Sequence, residues 1–535
     1  MRPLRVVLPV LAALACAILI GAAPSPNLYV PAAQYCYPPS HGPALTALCP
    51  VLPGNIGPDS SLNVGLGYPG IMNVAYPTSA AGDVETPFDN LSWQTFVALN
   101  WKAGEQNKPA AEGLQGDGAR VWQGWSRVSE VFGNSPVQAN CQPLLGEQVF
   151  SIASNGYGTP AVRNEEYIQA ATGDPAIDVK GNWTLYERRV NGVEIAYLRA
   201  PGGHAAWNLT TVKGQAAFVA AKGNVIDFPA VGAMPGAPNG AMEIKAAWRI
   251  LDPKLHAANA KRFYIQRAML AVAPDLVAKG NQPYARPICE HVELGLVAMH
   301  IIQKNPVTTN VLLPQWFWTT FEQVDNAPLA DKACDISHPA KCQEAPNQQQ
   351  CPATVTGNPD YSYFNAKTQD LPTNQPPSPP HGSNVFQWNP VQPYAKLFLA
   401  TAKNGMKAGT QITRCWQVYK LTQQLNAQWQ AKLRAAGSVF ANYMLIGTQW
   451  GAKVEATNPS TYPAGAVPAF LSNTTLETYL QNYNSLTLGF GSCVACHSGA
   501  NLTTNQAVLT NLSFLPGLVN PVLTRRAPLP PDAKK

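Results

Sequence analysis

Apolar and polar positions alternate with a strand-like period over much of the first two thirds of the chain, and give way to a helical period near the end. Residues 183–199, WTLYERRVNGVEIAYLR, read as two β-runs joined by Asn191-Gly192, a pair that suits a two-residue type I′ hairpin turn. Further β-runs are predicted at Met242 to Leu251, Arg262 to Val272 and His291 to Ile302, each broken by nearby Gly or Pro.

Helices are predicted at three places. Asp89 or Asn90 is positioned to cap Leu91 to Trp101, LSWQTFVALNW. From Thr413 to Ala436, Leu421, Leu425, Trp429 and Leu433 recur every four residues, and Gly437 offers a C-terminal cap. A capping-box pattern begins at Asn473-Thr474-Thr475 with Glu477 following. The expected fold class is therefore α+β: a β-rich N-terminal and central domain of sandwich or barrel type, followed by a mainly helical C-terminal domain.

The boundaries follow from composition. Residues 24–86 are rich in Pro and Gly and read as an extended arm, 87–324 as the β-rich domain, and 325–393 as a loop-rich connection. Residues 394–523 form the helical domain, and 524–535 a tail without apolar period. No repeat of fixed period is visible.

Residues 1–23 carry Arg2 and Arg5, an apolar run from Val6 to Ile20 and the small residues Gly21-Ala22-Ala23, the layout of a secretory signal peptide. The mature chain is expected to begin near Pro24. A retained anchor is the alternative, but the apolar run is short for a bilayer. Lipidation at Cys16 is disfavoured because Ala13 stands where such signals usually place Leu. No later stretch is apolar for long enough to span a membrane, so no stable span is expected once the leader is removed, and the expected location is the periplasm or the exterior.

Only 13% of the residues are charged, while Gly numbers 41 and Pro 49, a balance that favours a loop-rich exported protein. The net charge of +6 resides partly in Arg2, Arg5, Arg525, Arg526, Lys534 and Lys535. No basic stripe with interleaved aromatics is present, so nucleic acid is not expected as a partner.

Of the 11 cysteines, Cys36, Cys49, Cys141, Cys289, Cys334, Cys342, Cys351 and Cys415 form an even set outside the leader, as expected for disulfides in an exported chain. Cys36 with Cys49 is the simplest local pairing. Zinc at Cys334, His338 and Cys342 lacks the paired CxxC spacing of a structural site.

The remaining pair lies in Gly491-Ser492-Cys493-Val494-Ala495-Cys496-His497, a C-x-x-C-H run. This pattern lets one local turn deliver two thioether sulfurs and an axial imidazole to a single porphyrin, and it is far more specific than a bare C-x-x-C. A thioredoxin-like pair would need a surrounding βαβ pattern, and half a zinc site would need a partner pair nearby; neither is seen.

At this motif the chain resembles the c-type cytochromes. The resemblance implies one covalent haem c, with Cys493 and Cys496 as thioether residues and His497 as the proximal iron ligand. It covers about five residues. The segments LSWQTFVALNW, LPQWFWTTFEQVDNAP, SNTTLETYL and SCVACH are also similar to a group of secreted bacterial mono-haem proteins without assigned activity.

The chain departs from small class I cytochromes, since neither Met nor His follows His497. A sixth ligand must come from upstream, and Met444, His300 and Met406 are the candidates in that order. Cytochromes of the c′ type also carry the motif near their C-terminus and leave the iron five-coordinate, but they are far smaller bundles. His291 and His300, nine residues apart, face opposite sides of a regular element and are poor joint ligands.

Three functions remain open at this level. One-electron transfer with a redox partner protein or a small donor or acceptor is favoured. A haem peroxidase or oxygenase with an open distal iron site is the alternative, and a ligand-binding protein with an accessory haem is the third.

Overall fold

In the computed structural model the described residues are 48–53, 85–132, 141–152, 169, 176–222, 226–230, 239–272, 288–305, 315–335, 351–357, 359–367, 373–375, 386–388, 397–399, 411–450, 468, 471–481 and 491–519. The predicted leader, most of the arm, Cys36, Cys342, His338, Met406 and the tail lie outside them.

Strands β1 (Ser126–Arg127), β2 (Gln148–Ile152), β3 (Leu185–Val190), β4 (Met242–Leu251), β5 (Ile265–Val272), β6 (Ile288–Asn305) and β7 (Gln315–Gln323) precede β8 (Leu329–Asp335). Three-residue β9 (Phe386–Trp388) and β10 (Leu397–Leu399) pair with each other, and β11 (Arg414–Gln417) and β12 (Tyr443–Gln449) follow. The helices used below are α1 (Glu85–Leu99), α2 (Gly192–Arg199), α3 (Val212–Lys222), α4 (Lys420–Ala435) and the short α5 (Cys493–His497).

One eight-stranded sheet organises these elements. Its axis is the 18-residue β6, whose residues 293–303 pair antiparallel with β4 along one edge. On the other edge β5 takes residues 288–295 and β7 takes residues 298–305. The sheet continues outward through β3 and β1 beyond β4, through parallel β2 beyond β5, and through β12 beyond β7.

Side chains of a strand alternate between faces, and here both faces are covered. On the first face Met242, Ile244, Ala246 and Trp248 of β4 join Leu294, Leu296, Met299 and Ile301 of β6 in the largest core, under α1 and α4. Phe96 stacks on Phe321 with ring centres 4.0 Å apart, and Trp93 donates from Nε1 to Asn426 of α4 at 2.9 Å. On the second face Val190, Ile302, Trp316 and Trp318 meet residues of α2 and α3 together with Val494, Leu502, Val508, Leu512 and Leu515 of the C-terminal segment.

Leu294 and Leu296 have even numbers, whereas Met299 and Ile301 are odd, yet all four line the same core. The change of parity comes from a bulge. Ala247 pairs with Ala298 while Trp248 pairs with Leu296, which leaves Val297 as the extra residue between the β5-paired and β7-paired halves of β6.

The expected mainly helical C-terminal domain is not what forms. Residues 411–519 contribute β11, β12, the helix α4 and a largely irregular segment, and they pack on both faces of the same sheet. The four-residue stripe of Leu421, Leu425, Trp429 and Leu433 does make α4, closed by Gly437 at φ +67°. Its predicted start at Thr413 is instead strand: β11 pairs parallel with β8, tied by the Cys351–Cys415 disulfide.

The predicted hairpin at Asn191-Gly192 is also overturned. β3 ends at Val190, and Asn191 caps α2 by accepting from Glu194 N at 3.0 Å. It accepts from Met242 N at 3.2 Å as well, so the side chain satisfies two amides that a turn would have left to water. Asp89 and Asn90 are not caps either, because α1 begins at Glu85. Asp89 accepts from Thr448 Oγ1 at 2.8 Å, and Asn90 accepts from Trp429 Nε1 at 3.1 Å.

Cys141 is bonded to Cys289 and Cys351 to Cys415, and Cys49 and Cys334 are disulfide-bonded as well. Among the described residues no helix is long and apolar enough to cross a membrane.

Candidate functional site

The C-x-x-C-H run folds as α5, a single turn held from three sides. Gln449 at the end of β12 accepts from Val494 N at 2.9 Å and from Ser492 Oγ at 3.2 Å, and its own amide donates to Pro468 O at 2.6 Å. Leu471 N bonds Gly491 O at 2.7 Å, and Val494 is buried in the second core. The turn is closed by Cys496 N to Ser492 O at 3.0 Å and Ser498 N to Val494 O at 2.8 Å.

Both cysteines of the run are free thiols, in a chain where six other described cysteines are disulfide-bonded. Burial pushes the Cys493 thiol well above its usual range, and Glu477 adds to this; Cys496 is pushed up by the same two causes.

His497 closes the turn. Its Nδ1 stands 2.7 Å from the carbonyl oxygen of Leu512, an acceptor that assigns the proton to Nδ1 and leaves the Nε2 lone pair available. Burial lowers its pKa to about 4, so the imidazole is neutral near pH 7. Trp318 meets the ring edge-on at 5.7 Å and Phe514 lies 4.8 Å away. Trp318 Nε1 is buried and has no acceptor among the described residues.

The second face of the sheet brings charged residues towards the same segment. In register, Lys245 of β4 pairs with His300 of β6, and His300 pairs with Thr320 of β7. Above them lies the turn at 473–477. Asn473 donates to Thr320 Oγ1 at 2.8 Å and to Phe321 O at 3.1 Å, while its Oδ1 accepts from Thr475 N and Leu476 N. The predicted capping pattern therefore makes one turn, with Glu477 accepting from Asn473 N at 3.2 Å; a 3-10 turn at Thr478–Leu480 follows in place of a helix.

Glu477 stands 2.9 Å from His300 Nε2 and 3.8 Å from Lys245 Nζ. Burial raises its carboxyl, but His300 and Lys245 outweigh this and hold it below the usual range. The charges of Lys245, His300 and Glu477 all act on His497, and those of Lys245 and Glu477 on both cysteines.

Of the residues singled out from the sequence, Cys493, Cys496, His497 and His300 are gathered on this face. Met444 is half-buried in β12, opposite Glu322, and Glu322 stands four residues from Trp318 along β7. At about 3.3 Å per residue that is roughly 13 Å along the sheet from the row that meets His497. His291 lies on the half of β6 before the bulge, where it meets Glu147 at 2.8 Å. Lys245, Gln449 and Leu512 were not singled out from the sequence, and Glu477 was read only as a helix cap. A lysine inside the apolar run MEIKAAWRIL was the one available signal.

The donor set fits a covalent haem. Two unpaired thiols and a neutral imidazole with a free Nε2 project from one turn, and the imidazole is oriented by a backbone carbonyl as axial histidines require. No protein-family model, no curated protein and no solved structure matches the chain.

Proposed function

We propose that the chain is an exported c-type haem protein carrying one haem c, and that its work is one-electron transfer. Cys493 and Cys496 would form the thioethers and His497 would be the proximal ligand. The observation that carries this reading is the 2.7 Å bond from His497 Nδ1 to Leu512 O, in the same turn as the two free cysteines. The bound haem would supply an iron centre that cycles between two oxidation states. The chain's own contribution is a ligand held in one tautomer and a buried surround, both of which set the potential. The disulfides are compatible with a periplasmic or secreted location, where a redox partner protein or a small donor or acceptor would meet it.

The decisive experiment is denaturing electrophoresis with a haem stain. The stain should follow the wild-type polypeptide and be lost when Cys493 and Cys496 are both replaced by Ala. A wild-type band without stain refutes the reading.

A haem peroxidase or oxygenase is the second reading, favoured by the His300, Glu477 and Lys245 group beside the attachment turn. His300 Nε2 is engaged by Glu477, so service as a sixth ligand through that atom requires this bond to open. Carbon monoxide separates the readings. Rapid, complete binding to the reduced protein indicates an open iron site, whereas slow or partial binding indicates a six-coordinate electron carrier.

A further inference from the structure

Lys245 is a sparsely partnered charge on the face that carries the attachment turn. Its side chain is 19% exposed, and its ammonium has no hydrogen-bond acceptor among the described residues. The anion beside it is Glu477 at 3.8 Å, beyond hydrogen-bond reach. Glu477 is also committed elsewhere, with both carboxylate oxygens on His300 Nε2 and one accepting from Asn473 N. The ring of Tyr186 lies 5.5 Å from Lys245 Nζ and offers only its face.

The neighbours deepen the deficit. Arg188 is paired with Lys245 in register on β3, and its charge acts on Lys245 unfavourably. Desolvation disfavours the ammonium further, and its pKa is lowered. An ammonium carries three donors, and one that is largely withdrawn from water needs acceptors for them. Lys245 therefore has donors left for one more anionic oxygen group, and its charge acts on Cys493 and Cys496.

The geometry points to Lys245 as the binding residue for a carboxylate lying against the attachment turn, supplied either by a propionate of the haem or by a small free carboxylate. This rests on the haem reading above. A carboxylate is compact enough to accept from Lys245 Nζ, and its negative charge would complement the ammonium.

The test uses the full haem-loaded chain as wild type, Lys245→Gln and Lys245→Arg. If a propionate is the occupant, the propionate bending band in the resonance Raman spectrum moves in Lys245→Gln, the midpoint potential falls, and Lys245→Arg restores both. If a free carboxylate is the occupant, that band stays put. Sodium formate then binds the reduced wild-type protein saturably by calorimetry, with affinity weakened by about tenfold or more in Lys245→Gln and kept in Lys245→Arg. An unmoved band together with no saturable formate binding overturns the proposal. A preparation without covalent haem refutes the haem reading separately, and formate calorimetry on that same protein still decides whether Lys245 binds a carboxylate.

Discussion

The imidazole of His497 and the carbonyl of Leu512, fifteen residues apart in sequence, are joined by a 2.7 Å hydrogen bond beneath the ring of Phe514. Replacing His497 by Phe removes the donor and leaves a buried carbonyl unpaired, at a cost of about 1–3 kcal/mol measurable by urea unfolding. In the haem-loaded protein the stain should persist, because both thioethers remain, while the visible spectrum loses the signature of a nitrogen axial ligand. An unchanged spectrum would remove His497 from the iron.

Gln449 serves the turn from the other side, through Val494 N and Ser492 Oγ. Gln449→Ala should cost roughly 1–3 kcal/mol and lower the hydrogen-exchange protection of the Val494 amide more than that of the β4 and β6 amides. Equal loss across the sheet would mean that Gln449 supports the whole fold and not this turn.

Glu194 in α2 is fully buried and interacts with Glu243 of β4, which is half-buried. Burial pushes Glu194 well above the ordinary value of 4.5, and Glu243 pushes it further; Glu243 is itself raised by burial, although Ser513 Oγ donates to it at 2.6 Å. A carboxyl whose folded pKa is raised contributes its full stability below the unfolded value and loses it as pH rises through the folded value. Stability should therefore decline as pH rises above 4.5. Glu194→Gln should flatten that decline, and each tenfold of differential proton affinity is worth about 1.4 kcal/mol. Parallel profiles of urea midpoint against pH for the two proteins would contradict this.

Glu322 and Arg414 form a buried pair, with Arg414 Nη1 donating to Oε1 at 3.0 Å and Thr474 adding bonds at 2.7 Å and 2.6 Å. Removing one member leaves the other charge uncompensated, so Glu322→Ala should cost about 3–5 kcal/mol, and the double replacement by apolar residues much less. Because Thr474 leads into Glu477, the single variant should also loosen the contact with His300. A thermal-unfolding series over the two single variants and the double variant checks the non-additivity.

The sequence made some of this arrangement legible and hid the rest for identifiable reasons. The runs at Met242–Leu251 and Ile265–Val272 were visible as strands because their β-branched and apolar residues fit a sheet buried on both faces. The α4 stripe was visible because its four residues fall on one side of a single helix. Short ambiguous runs failed: VEIAYLR satisfies both periods, and the cap bond from Glu194 N to Asn191 Oδ1 decides for helix. Long-range pairing was invisible, so β11, held by β8 and by Cys351, was absorbed into the helix that follows it.

The site divides in the same way. Cys493, Cys496 and His497 announce themselves by local spacing. Lys245, Glu477 and His300 come together from three separate segments through strand register and one pinned turn, which no local pattern encodes. His300 was named from its apolar surroundings, but the salt bridge that occupies it depends on Asn473 finding Thr320.

The extra residue at Val297 acts as a phase switch in the reading of β6. Were Val297 paired regularly instead of bulged, the even-numbered positions would keep one direction along the whole strand, and His300 would point with Leu294 and Leu296 into the aromatic core under α1. Met299 and Ile301 would then confront the attachment turn, and Lys245 and Glu477 would lose their histidine. Deleting Val297 sets Leu296 beside Ala298, opposite the neighbours Trp248 and Ala247, so every remaining side chain keeps its face and the fold should survive, while Val297→Ala keeps the bulge and should cost about 1–3 kcal/mol. The chemistry on this face depends on Val297 staying out of the ladder as much as on which residues flank it.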